Sequence, residues 1–200
     1  MASETAAAEP VRLALRKLWS DHVFWTREYI IAATMGPHGS TNVAEHLPAS
    51  DADAAAARLL KNQDDIGAAI VPYYGADAGK QLTDLLKQHI MIAVELVADA
   101  KGSDDAKFAR DDQRWSDNAT EIARFLAAAN PNWPEKDVAD LLALHLQLTK
   151  NEVVARLKKD WNAAVKAFDD IFTEIMVLAD ALYDGLTIQF PEKFRQGARV

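Results

Sequence analysis

Five histidines and no cysteine define the metal-ligating and nucleophilic chemistry open to this chain. Three of the histidines stand among aliphatic residues: His22 in "SDHVFW", His89 in "LLKQHIMIAVELV" and His145 in "LLALHLQLT". A buried neutral imidazole can ligate a metal, take up a proton or accept a hydrogen bond. His38 and His46 instead fall in a polar stretch rich in glycine and proline and read as exposed loop residues. Without cysteine, disulfides, thiolate zinc sites, iron–sulfur clusters and thiol catalysis are all excluded. Imidazoles combined with carboxylates suit Zn, Fe, Mn or Cu.

No familiar catalytic motif accompanies these residues. There is no phosphate-cradling glycine loop, no G-x-S-x-G and no kinase motif set. The Glu-x-x-His pair of di-iron carboxylate bundles is missing, because Trp19, Leu86 and Leu142 stand three residues before His22, His89 and His145. His-Glu-x-x-His is absent as well.

The elements that must carry the histidines are helical. Glycine (8) and proline (7) are scarce, and no stretch alternates in the manner of a strand. A first helix is expected from about Pro10 to Met35, ended by "GPHGS", with a loop to about Ser50. Ser50 then caps a second helix that reaches about Val71 and stops at "PYYGADAG". A third runs from about Asp77 to Ala100 and a fourth from about Asp104 to Ala129, separated by "KGSDD" with Ser103 as a cap. "NPNWP" ends the fourth.

From Glu135 to Asp184 there is neither glycine nor proline. One helix of about fifty residues would stand ~75 Å tall, too long for its neighbours. Thr149 and Glu152 match the S/T-x-x-E capping box, which places a break near Leu148 and gives Glu152 a structural task. The last helix is then expected to end near Gly185. The expectation is an all-α, single-domain antiparallel bundle of five to six helices over 1–200, with 1–9 and 191–200 as flexible tails.

Each of the first five expected helices places a polar residue on its apolar seam. The seams read Trp19–His22–Thr26–Tyr29, Leu59–Asn62–Ile66, Leu82–Leu85–His89–Ile92, Trp115–Asn118–Ile122 and Leu142–His145–Thr149. His22, Asn62, His89 and Asn118 lie at similar depths in helices of similar length, so they can share one layer, and His145 can join it. Asp65 and Glu121 follow Asn62 and Asn118 by one turn. The leading expectation is a buried transition-metal site built from His22, His89 and His145, assisted by Asp65 and Glu121. Asn62, Asn118, Trp19 and Trp115 would line a cofactor pocket. One alternative is a hydrogen-bonded layer that only fixes register. The other is a small-ligand or haem site walled by tryptophan.

The net charge of −8, without a basic stripe, argues against nucleic acid and anionic membranes. "MASETAAAEP" is not a secretory signal, and no apolar run approaches about 18 residues. A cytoplasmic location is therefore expected; the acidic surface and long last helix permit a homodimer without requiring one.

"LRKLWSDHVFWTR", "LLKNQDDIGAAIVPYYG", "LLKQHI", "ANPNWP", "HLQLTKNEVVARLKKDW" and "ADALYDGLTIQFPEKF" together resemble a family of small bacterial helical-bundle proteins of unassigned function. The resemblance spans about residues 13–194 and implies the same helical fold. His22, Asn62, Asp65, His89, Asn118, Glu121 and His145 lie within or beside these stretches, which implies a shared site rather than separate packing accidents.

Overall fold

The computed structural model describes residues 8–35 and 50–194. His38, His46 and the loop expected around them lie outside the described residues. Five α-helices follow one another among the described residues: α1 (Ala8–Thr34), α2 (Asp51–Gly102), α3 (Asp105–Ala129), α4 (Glu135–Leu157) and α5 (Trp161–Gln189). A 3-10 turn, Pro191–Phe194, closes the series, and no strand occurs among these residues. No helix among them is long and apolar enough to cross a membrane.

α2 is two helical arms joined at Gly75. Pro72 lies inside the first arm, and the chain turns at Gly75, whose φ of 85° and ψ of 171° suit a residue without a side chain. The arms fold back on each other. Lys87 Nζ meets Asp64 Oδ1 at 2.6 Å, and Thr83 Oγ1 donates to the Gln63 carbonyl at 3.4 Å. At Gly67 a Cβ would lie 2.6 Å from the carbonyl oxygen of Gly79, so the arms touch backbone to backbone.

The remaining contacts close a ring, with α1 against α2 and α5, α2 against α3, α3 against α4 and α4 against α5. Across three of these seams, α1–α2, α1–α5 and α3–α4, one residue number rises as the other falls. Leu18 meets Asn62 and Asp21 meets Arg58. Arg12 meets Asp180 and Arg27 meets Ala164. Asp112 meets Lys150 and Arg124 meets Glu135. Trp19, Ile66, Leu86, Trp115, Ile122, Leu142, Ile175 and Leu178 fill the centre. Each large apolar side chain buried there contributes about 1.5–3 kcal/mol.

Several helix ends differ from expectation. There is no break near Leu148: α4 continues to Leu157, and the turn comes at Lys159 (φ 59°), where Asp160 caps α5 by accepting from the Ala163 amide at 3.0 Å. The capping-box match at Thr149 and Glu152 therefore starts no helix. Thr149 donates its hydroxyl back to the His145 carbonyl at 2.9 Å, and Glu152 is buried against Arg27. Ser103 takes a left-handed conformation (φ 55°) that ends α2, and Asp104 caps α3 instead. α5 runs past Gly185, which packs against the Trp133 indole. Phe194, in the expected tail, is buried and stacks on Tyr73 with ring centroids 5.9 Å apart.

Candidate functional site

Three helical segments bring three imidazoles to one cavity. His22 on α1, His89 on the second arm of α2 and His145 on α4 are each at most 4 % exposed. All three line one partly open cavity whose other walls are mainly apolar: Tyr29, Ile30, Leu59, Val97, Phe108 and Trp115 among them. Val154, also in the wall, is exposed, so the cavity reaches the surface along α4. The rings of His22 and His145 are 5.6 Å apart, and that of His89 lies 5.0 Å from Trp115.

The surrounding hydrogen bonds fix which nitrogen of each ring carries the proton. Asn62 donates Nδ2 to the Leu18 carbonyl at 3.0 Å, which turns its Oδ1 toward Gln63. Of the two Gln63 Nε2 protons, one goes to the Leu59 carbonyl at 2.8 Å and the other is shared between that oxygen and His22 Nδ1, 3.2 and 3.3 Å away. His22 Nδ1 is therefore an acceptor and its proton sits on Nε2. Asn118 donates Nδ2 to the Leu85 carbonyl and to Gln88, which leaves its Oδ1 facing His89 Nδ1 at 2.8 Å. His89 thus carries its proton on Nδ1. His145 Nδ1 lies 2.9 Å from Glu174 Oε2, so it too carries a proton there. No side chain among the described residues bonds any of the three Nε2 atoms. With each Nδ1 engaged, Nε2 is the nitrogen left for a ligand, as an N–H on His22 and as a lone pair on His89 and His145.

Burial keeps two of these rings neutral. It holds His22 well below the ordinary imidazole value, and repulsion from His145 and His89 adds to the effect. Burial likewise lowers His89 to about 3, helped by His145 and opposed by the bond to Asn118. Thr26 and Thr149, also in the wall, donate their hydroxyl protons to the carbonyls of His22 and His145, so they present only lone pairs.

The other expected site residues divide. Trp115 lines the cavity and donates its indole N–H to the His89 carbonyl at 3.1 Å. Asn118 holds His89, and Asn62 acts on His22 through Gln63. Trp19 packs edge-on to His22 at 5.7 Å but borders a second, wholly apolar space. Asp65 and Glu121 are not part of the site. Asp65 pairs with Lys61 at 2.6 Å on the outer side of α2, and Glu121 is exposed. Each directly precedes a core isoleucine, Ile66 or Ile122, and one residue turns a helix by about 100°, enough to leave the buried face.

Two members of the site had not been anticipated, Gln63 and Glu174. Both stand on apolar seams, Gln63 between Leu59 and Ile66 and Glu174 between Ile171 and Leu178, and that spacing is the signal that could have found them. Arg27 pairs with Glu152 at 2.6 Å. Burial pushes the Glu152 carboxyl up to about 7, against the pull of Arg27 and Arg156.

Among the described residues no three His, Asp or Glu side chains form a group able to hold a metal ion. Comparison of the chain with protein-family models, with characterised proteins and with solved structures gives no match.

Proposed function

We propose that this chain is an antiparallel helical bundle, acting in the cytoplasm, that binds a small, neutral, mainly apolar molecule in the cavity between α1, α2 and α4. One observation carries the reading: three buried imidazoles from three helical segments line one mainly apolar cavity, each hydrogen-bonded at Nδ1 and none at Nε2 among the described residues. A layer that served only to fix register would have little reason to border empty space, whereas ligand sites combine apolar walls with a few convergent polar groups. A carbonyl or hydroxyl oxygen suits the His22 N–H, and a hydroxyl proton suits His89 or His145.

A transition metal is the second reading; since no three ligands stand grouped for one among the described residues, it requires His22, His89 and His145 to draw together on binding. The bond from His145 Nδ1 to Glu174 favours it, because metal-bound histidines commonly give their other N–H to a carboxylate.

Native mass spectrometry and elemental analysis of untagged protein, beside Ala93→Leu and His89→Gln variants, separate the two. Ala93 lines the cavity without bonding a histidine. A bound organic mass that Ala93→Leu displaces supports the ligand reading. Near one equivalent of metal, lost in His89→Gln, supports the metal instead. Absence of both, also after incubation with small ketones and alcohols and with Zn, Mn, Fe and Cu, reduces the histidines to a structural layer.

A further inference from the structure

The three histidines are held differently. His22 and His89 are held by amides, of Gln63 and Asn118, whereas His145 is held by a carboxylate. Glu174 is 5 % exposed, and its second oxygen, Oε1, has no hydrogen-bond partner among the described residues. As a mere anchor this is an unfavourable choice, since a buried carboxylate loses its hydration and an amide would hold the ring as well. The carboxylate does what an amide cannot: it stabilises a positive charge that arrives on the imidazole. A proton on His22 or His89 would have no such counter-charge, and burial opposes it.

We propose that the cavity is a proton-transfer site for small neutral ketones, with His145 as general base, Glu174 as its positioning residue and His22 as the donor to the carbonyl oxygen. The inference rests on the cavity being a binding site. His145 Nε2 removes a proton from the carbon beside the carbonyl. The C–H electron pair becomes the C=C bond of an enolate, and the carbonyl π pair moves onto oxygen. His22 Nε2–H donates to that oxygen as its charge grows; a neutral imidazole is a fitting donor here, because its N–H is not surrendered. The imidazolium of His145, held against Glu174, returns its proton to the same carbon or, in a β,γ-unsaturated ketone, to the γ-carbon. The double bond then moves into conjugation. No oxidant, reductant or other co-reactant enters.

A ketone's oxygen and its α-hydrogen lie close together, so base and donor must stand side by side. His22 and His145, neighbours at 5.6 Å between ring centroids in one cavity wall, meet that demand. The apolar walls favour an uncharged substrate and strengthen both hydrogen bonds by excluding water.

Cyclohex-3-enone is the probe: its isomerisation to cyclohex-2-enone is followed by ultraviolet absorbance. Binding of cyclohexanone, which cannot isomerise, is followed by the fluorescence of Trp115 and its neighbours. The wild type should isomerise the enone faster than an equal concentration of imidazole. His145→Gln should lose about 100-fold or more of kcat, in the range of general acid–base catalysis. Glu174→Gln, nearly the same shape, should lower kcat while KM and cyclohexanone affinity hold, and should shift the pH profile of kcat. Cyclohexanone binding without isomerisation above the imidazole rate overturns the proposal and leaves the binding function standing. Equal rates in the wild type and both variants overturn the assignment of His145 and Glu174. Failure to bind either ketone overturns both this proposal and the ketone-accepting cavity on which it rests.

Discussion

Glu152 offers a quantitative test of the energetics at the cavity end of the bundle. It lies on α4 two turns beyond His145, is 1 % exposed, and meets Arg27 Nη1 of α1 at 2.6 Å. Burial raises its carboxyl from the ordinary 4.5 to about 7. The unfolded chain releases this proton near 4.5 and the folded chain only near 7, so between those values the folded state holds the extra proton. Stability therefore falls as pH rises through that window and levels off above it. Each pH unit between the two values corresponds to about 1.4 kcal/mol, which gives about 3 kcal/mol in total. Urea unfolding of the wild type and of Glu152→Gln, from about pH 5 to about pH 8.5, measures it. The wild type should lose about 2–3 kcal/mol relative to the variant across that range. Other titrating groups are common to both chains and cancel in the difference. Loss of the Arg27 bond in the variant displaces the curves by a constant without changing their relative slope. A difference that stays flat, or that favours the wild type as pH rises, would show that Arg27 outweighs burial and keeps the carboxylate ionised throughout; the reasoning would then be wrong.

His89 should show the opposite sign: its folded value of about 3 lies below the ordinary 6.5, so its contribution is complete above 6.5 and is lost as pH falls. Relative to His89→Gln, the wild type should lose about 2–3 kcal/mol between about pH 6.5 and about pH 4.5, read from urea midpoints. Gly75→Ala should destabilise by about 1–3 kcal/mol through backbone strain alone. A Cβ there would meet nothing within 4 Å, so unchanged stability would mean that the turn had relaxed. Gly185→Ala should cost about 1–3 kcal/mol or more by overpacking. The new Cβ would overlap the Trp133 indole, with Cδ1 2.5 Å away, so a shift in tryptophan emission should accompany the drop in melting temperature.

The helical class, the turns at Gly75 and after Ala129, and the buried positions of His22, His89, His145, Asn62 and Asn118 were legible in the sequence. Apolar spacing and breaker residues are local properties of a chain. The fate of the 135–184 stretch was not legible. Thr149 and Glu152 present a capping pattern, and only the arrival of Arg27 from α1 and the back-bond to His145 assign them other tasks. The carboxylates were misjudged for a related reason. Asp65 and Glu121 are near the right residues in sequence but about 100° off the buried face, while Glu174, far away in sequence, comes to 2.9 Å of His145. The sequence by itself determined that imidazoles would be buried in a helical protein, because periodicity decides which face of a helix turns inward. Only the tertiary structure decided which of them gains a carboxylate, which an amide, and which nitrogen of each is engaged, because those choices depend on partners supplied by other helices or by a neighbouring residue whose own bonds another helix fixes.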